Sequence, residues 1–230
     1  MKLVLFDIDG TLLLSRGAGR RAVLSAMAGM LPPPEAVRGV RFDGKTDPQI
    51  VRELLHAAGD PRYADDRHIA EVLDRYVGRL EEELARPDHV TDVMPGVYPL
   101  LDRVEAHAAT LLGLLTGNVE PGARLKLRSA AIDPVRFLVG AFGSDHHERS
   151  ALPAIAAARA EPHFGRRPAG VEVVIVGDTP ADVTCGRGIG ARAIGVATGS
   201  YSAQELSEAG AFAAFDDLAD LDAVWEAILA

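Results

Sequence analysis

The sequence predicts an α/β protein: a parallel sheet with helices on both faces, and an all-helical block inserted after the first strand. Three observations carry this. Lys2–Phe6 is an almost unbroken apolar run, the pattern of a strand buried on both faces. Between residues 18 and 85 the apolar residues recur at helical spacing, with no convincing strand among them. After Pro87 short apolar runs alternate with helical stretches, as successive strand–helix units do.

Three stripes define the helical block. Val23, Met27, Met30 and Leu31 fall at helical spacing, and Ile50, Val51, Leu54, Leu55 and Ala58 repeat it, with Gly59 as a C-terminal stop. Ile69, Val72, Leu73, Tyr76, Val77, Leu80 and Leu84 make a third, longer stripe. Farther on, the pattern predicts a helix over 95–107, a strand over 111–115 and a helix over 121–130. A strand over 137–142, a helix over 151–160 and a strong strand over 171–176 follow. A helix from Pro180, a strand over 193–196 and helices over 203–209 and 219–229 complete the chain. The alternation describes a Rossmann-like core to which the N-terminal strand belongs. The expected division is a core of residues 1–15 and 90–230 and a helical cap of residues 16–89, joined through 15–19 and 87–95.

Bulk composition narrows the function classes. At 230 residues the chain has room for one large domain, or one domain plus a smaller one. A net charge of −9 argues against non-specific nucleic-acid binding, which needs a basic surface. It leaves an anionic substrate open if the site carries its own cations. Cys185 is the single cysteine, so no disulfide forms within the chain. No segment approaches the ~18 uncharged apolar residues of a membrane span, and no leader-like stretch precedes the first strand. A soluble, cytoplasmic protein is the expectation, as monomer or homodimer. Only three lysines occur, Lys2, Lys45 and Lys126, so most cationic roles fall to arginine.

Ligands of open parallel sheets bind beyond the carboxyl ends of the strands. Four polar or glycine-rich stretches follow apolar runs there: residues 7–11, 116–118, 143–149 and 177–182. Asp7 and Asp9 stand two residues apart, so their side chains can share one side of an extended chain end. Such a pair can supply a nucleophile and a general acid–base, or it can belong to a plain Asp-Gly turn. An EF-hand loop is excluded because Gly10 comes too early and Ala18 stands where its final glutamate belongs. In GDTPAD, residues 177–182, Thr179 and Asp182 read as a capping box around Pro180. That leaves Asp178 unexplained, and a hard cation held by Asp178 and Asp7 accounts for both carboxylates. Thr116, Gly117 and Asn118 read as a phosphate cradle or as a loop capping the next helix. Asp145, His146, His147 and Glu148 look like metal ligands, but neighbouring histidines on a loop rarely converge on one ion. Arg149 is a cation at a helix start, or else a surface arginine.

Taken in this order, DIDGT at 7–11, a strand ending in Thr116, a basic residue at 149 and GDTPAD at 177–182 resemble the haloacid dehalogenase superfamily of phosphohydrolases. The position of the helical insert resembles the capped branch of phosphoglycolate phosphatases and β-phosphoglucomutases, as do MPGV at 94–97 and FGSD at 142–145. The resemblance implies a phosphatase acting on a small phosphorylated metabolite. Asp7 would attack phosphorus, and Asp9 would protonate the leaving oxygen and later activate water. Mg²⁺ would be held by the Asp7 carboxylate, the Asp9 backbone carbonyl and Asp178, with Asp182 supporting them. Gly10, Thr11, Thr116, Gly117, Asn118 and Arg149 would surround the phosphoryl group. The family's third motif is usually a lysine. Arg149 takes that place here, ahead of Arg128 and Arg159, because an arginine fork also binds phosphate and carboxylate.

Other activities of the same fold are weighed by residue. The second aspartate counts against a dehalogenase. A phosphomutase uses the same motifs. A phosphonate hydrolase needs a cap lysine, and Lys45 is available, although it also simply precedes a helix start at Thr46, Asp47 and Pro48. A non-catalytic binding protein would have no reason to keep the Asp7–Asp9 charge pair. Substrate choice would fall to cap residues such as Arg16, Arg41, Phe42 and Lys45.

Overall fold

The computed structural model describes residues 1–31 and 39–230. Six parallel strands form the main sheet: β1 (Lys2–Phe6), β4 (Thr110–Thr116), β5 (Val139–Phe142), β6 (Val173–Gly177), β7 (Arg192–Val196) and β8 (Ala213–Phe215). Their spatial order is β5-β4-β1-β6-β7-β8. The chain starts in the middle and winds outward both ways, so β1 lies between β4 and β6. The strand–helix alternation thus produced the parallel sheet it implied.

Both faces are covered because the strands are apolar on both faces. Val4 and Phe6 point to one side, among residues of α4 (Val97–Ala106), α5 (Glu120–Ser129) and α9 (Leu221–Leu229). Leu3 and Leu5 point to the other, toward α6 (Leu152–Phe164) and α7 (Pro180–Cys185). The short α8 (Ala203–Glu208) covers the β7–β8 edge through Leu206. The alternate pointing of successive side chains serves both layers from one five-residue strand.

The block between β1 and β4 holds α1 (Ala18–Ala26), α2 (Asp47–Ala57) and α3 (Asp66–Leu84). Its apolar stripes meet in a core of their own, with Val23, Met27, Val51, Leu55, Val72 and Tyr76 buried together. Thr46 caps α2 by accepting from the Gln49 N–H at 3.3 Å, and Asp65 caps α3.

Several boundaries differ from the sequence reading. Residues 170–172 form a 3₁₀ turn, and Val171 is half exposed, so the strand begins at Val173. The strand expected from 137 begins at Val139, after a short turn over Pro134–Arg136. α1 ends at Ala26, leaving Met30 and Leu31 beyond it but still against the helical core. Two features were not anticipated. β8 is three residues of an alanine-rich edge, too short to show a period. β2 (Leu13–Leu14) and β3 (Asp92–Val93) pair antiparallel, zipping together the two chain crossings between sheet and helical block. An Arg16–Asp92 ion pair at 2.6 Å flanks that ribbon.

Candidate active site

β4, β1 and β6 are adjacent and parallel, so their carboxyl ends lie side by side. This arrangement brings together residues more than a hundred positions apart in the chain. Asp7 follows β1 and donates its N–H to the Val176 carbonyl at 2.9 Å. Gly10 has φ +82°, and the N–H groups of Thr11, Leu12 and Leu13 all bond the Ile8 carbonyl, which curls the chain back beneath the aspartates. The strand ends face the helical block across a cavity of about 320 Å³. Asp7, Asp9, Thr116, Asn118, Arg149 and Asp178 all line it.

Asp7 and Asp178 are almost wholly buried. Burial pushes the Asp7 carboxyl up to about 6, opposed by the Arg149 charge and reinforced by Asp182 and Asp9. Asp178 is pushed up to about 9, by burial first and then by Asp182 and Asp7. Ligand atoms of Asp7, Asp178 and Asp182 lie within 4.8 Å of one another. Asp182 is already engaged. One oxygen pairs with Arg149, and the other accepts from the Thr179 N–H at 3.0 Å and the Thr179 hydroxyl at 2.6 Å. The capping box read from the sequence is present at the start of α7. Asp178 Oδ1 accepts from the Thr11 hydroxyl at 3.2 Å, and among the described residues no side chain donates to Oδ2. A Cβ on Gly10 would lie 2.3 Å from that Oδ2, and one on Gly199 1.8 Å from it. Two crowded, like-charged oxygen donors with raised pKa values fit a hard divalent cation.

Arg149 is buried at the turn leading into α6, with Nη2 3.1 Å from Asp7 Oδ1 and also paired with Asp182. The plain surface-arginine alternative is thereby removed. Arg128 is exposed, and Arg159 is tied to Asp145 at 2.7 Å outside the cavity. His146 and His147 stack on each other at 4.9 Å and take no part in an acidic cluster.

Thr116 ends β4 fully buried, and Asn118 gives it an orientation. Its N–H and Nδ2 both donate to Thr116 Oγ1, at 3.3 and 2.8 Å, which leaves the threonine hydroxyl hydrogen free to point elsewhere. Asn118 also donates to Asp9 Oδ2 at 2.8 Å. The asparagine therefore braces two neighbours. The Gly117 carbonyl accepts from the Asp47 N–H at 2.7 Å, and a Cβ on Gly117 would meet the Lys45 carbonyl oxygen at 2.1 Å.

Of the four cap residues named from the sequence for substrate choice, Arg16, Phe42 and Lys45 line the cavity and Arg41 does not. Lys45 is paired with Glu53, Arg41 lies 3.9 Å from Asp43, and Arg20 covers the Phe42 ring at 4.4 Å.

Two cavity residues, Lys126 and Asp47, carry no site role in the sequence analysis. Lys126, on α5, is buried with Nζ 2.6 Å from Asp9 Oδ2 and 2.6 Å from Asn118 Oδ1. Its signal was present: in the stripe Ala123, Lys126, Leu127 and Ala130 a lysine occupies an apolar position. Asp47 is buried beside Tyr76 and accepts from the Val119 N–H at 2.8 Å, and burial pushes its carboxyl up to about 6 against the Lys126 charge. Nothing local marked Asp47 as more than a helix-start residue.

Paired carboxylates, a buried cation and a hydroxyl gathered at the strand ends of an open parallel sheet are groups suited to phosphoryl transfer. The chain belongs to the haloacid dehalogenase-like hydrolases, whose family model matches residues 4–187. It is 30% identical over 225 residues to a phosphoglycolate phosphatase of Rhodospirillum rubrum, covering 96% of this chain and 89% of that one. Among solved structures it resembles a hydrolase from Pseudomonas syringae, with TM-score 0.71 and 19% identity over 98% of this chain and 97% of that one. CbbY from Rhodobacter sphaeroides, in complex with phosphate, gives TM-score 0.70 and 20% identity, covering 96% of each chain. These two likenesses show the fold, and the family and the R. rubrum relative identify a phosphatase of the phosphoglycolate phosphatase-like branch. Among the described residues no helix is long and apolar enough to cross a membrane.

Proposed function

We propose that this phosphatase hydrolyses a small, phosphoglycolate-like phosphate ester through an aspartyl phosphate on Asp7, with Mg²⁺ as cofactor. The observation that carries the reading is the asymmetry of the two carboxylates. Asp7 is buried against Arg149 and beside Asp178, whereas the Asp9 side chain is 41% exposed at the cavity. The buried carboxylate faces cations and suits the nucleophile. The accessible one can meet a leaving group or a water molecule.

Asp7, the Asp9 carbonyl and Asp178 would hold the cation, and Asp182 would support the set through Arg149. When bound, Mg²⁺ supplies positive charge to the phosphoryl oxygens and relieves the repulsion among the acids. Arg149 orients Asp7 and offers charge to the phosphoryl group. The free Thr116 hydroxyl hydrogen, set by Asn118, suits a phosphoryl oxygen. Asp7 Oδ attacks phosphorus while the ester oxygen leaves with a proton from Asp9. Asp9 then takes a proton from water, which attacks the aspartyl phosphate and restores Asp7. The cavity of about 320 Å³ suits a small metabolite. Lys45 is engaged by Glu53, which argues against a phosphonate hydrolase, whose cap lysine has to be free to attack. Residues 16–89 act as the cap that closes the cavity, and the hard donor set favours Mg²⁺ over zinc.

Phosphate release from a panel of small phosphate esters, including 2-phosphoglycolate and sugar phosphates, tests this with and without Mg²⁺. Release should require the cation, and Asp7→Asn should form no acid-stable phosphoenzyme in rapid-quench trapping. Full activity after exhaustive chelation would remove the metal from the proposal. Isomerisation of a sugar phosphate without net phosphate release would make the protein a mutase.

A further inference from the structure

Lys126 has no place in the mechanism above, yet it is among the most carefully enclosed polar groups of the molecule. Its side chain is 6% exposed. Nζ, Asp9 Oδ2 and the Asn118 carboxamide close a triangle with sides of 2.6, 2.6 and 2.8 Å. The lysine comes from the sheet side of the molecule, on α5, but helical-block residues cover it. Gly19 of α1 leaves it room, since a Cβ there would lie 3.3 Å from Nζ and 3.9 Å from the Tyr76 hydroxyl. Tyr76 and the buried Asp47 complete the lining beside it.

We infer that Lys126 is a positioning residue for Asp9, and that closure of the helical block around it seats that carboxylate for proton transfer. The inference rests on the proposed role of Asp9. An aspartate three residues beyond β1, with its side chain partly open to the cavity, has rotamer freedom of its own. Two donors on Oδ2, the Lys126 ammonium and the Asn118 amide, remove that freedom and leave Oδ1 to face the reacting oxygen. The ammonium keeps its geometry only while it is shielded from water. That shield is built from Gly19, Asp47 and Tyr76, all in the block expected to close.

The experiment is a double-mutant cycle of Lys126→Met and Asp9→Asn, read by single-turnover kinetics on an alkyl phosphate and on an activated aryl phosphate. Lys126→Met should slow transfer from the alkyl ester about 10–100-fold and transfer from the aryl ester at most about threefold, because an aryl leaving group needs little proton assistance. On the alkyl ester the double variant should be no slower than Asp9→Asn alone, since both changes remove one function. Lys126→Arg keeps the charge and should recover part of the loss. Multiplicative losses in the double variant, or equal losses on both esters, would overturn the inference, as would wild-type turnover of Lys126→Met. Should Lys126→Met fail to fold, Lys126→Gln carries the same cycle. Failure of the underlying reading shows itself separately, because the loss in Asp9→Asn alone would then be the same on both esters.

Discussion

At the scale of single residues, the site depends on one cation shared by two carboxylates. Arg149 bridges Asp7 and Asp182, and all three are buried. A surface arginine in this place would be worth less than ~0.5 kcal/mol. Removing one member of a buried ionic set instead strands the others, at roughly 3–5 kcal/mol. Arg149→Ala should therefore lower stability by that order as well as slowing turnover. Arg149→Lys keeps a charge but loses the fork, and should fall between the two. Urea unfolding of both variants with activity measured alongside decides this. An Arg149→Ala protein as stable as wild type would mean the bridge contributes nothing.

At the scale of elements, the start of α2 is pinned to the loops that follow β4 and β5. The Asp47 N–H bonds the Gly117 carbonyl, the Val119 N–H bonds Asp47, and the Thr46 hydroxyl donates to the His147 carbonyl at 2.5 Å. The contact is close enough to need a glycine at 117, where a Cβ would collide with the Lys45 carbonyl oxygen at 2.1 Å. Backbone cannot yield as a side-chain tip can. Gly117→Ala should push α2 off the loop, raise KM about tenfold or more and cost roughly 1–3 kcal/mol of stability, as overpacking does. Steady-state kinetics and thermal melts measure the two effects. Unchanged KM would show that the helical block can shift without disturbing substrate.

At the scale of the whole molecule, three buried acids set the response to pH. Asp7 and Asp47 are raised to about 6 and Asp178 to about 9, in each case mainly by burial. Each folded-state value exceeds the unfolded one, so the folded protein binds these protons more tightly. Their stabilising contribution is complete below about pH 4, and it is lost as pH rises through 6 and then 9. Asp47 alone should make the protein less stable at pH 8 than at pH 4 by an amount on the order of 2–3 kcal/mol. Asp47→Asn should flatten the pH 4–6 part of the curve. The proposed Mg²⁺ would compete with protons at Asp7 and Asp178, so it should raise the melting temperature more at pH 8 than at pH 5. Melts with and without Mg²⁺ at both pH values test this, and an equal shift at both would contradict it.

How much of this was legible depends on the range over which each feature is encoded. Apolar periodicity is local, and it marked β1, the helical stripes and the strand–helix alternation. The rule that ligands gather at strand ends then pointed to residues 7–11, 116–118, 143–149 and 177–182. Asp178 stood out because the capping box explained Thr179 and Asp182 but not it. Periodicity says which way a side chain faces, and it says nothing about what waits there. Lys126 pairs with a carboxylate 117 residues away. That pairing exists only because β4 lies beside β1 and the helical block closes over α5. Asp47 reads as an ordinary helix start until its backbone meets the Gly117 loop. The β2–β3 ribbon joins two crossings that are two residues long each and carry no period. The sequence by itself determined the layers of the molecule and the carboxylates at its strand ends. Strand order and the closing of one hydrophobic unit on the other decided which charges those carboxylates meet, because opposite charges select partners only after tertiary packing has brought them within a few ångströms.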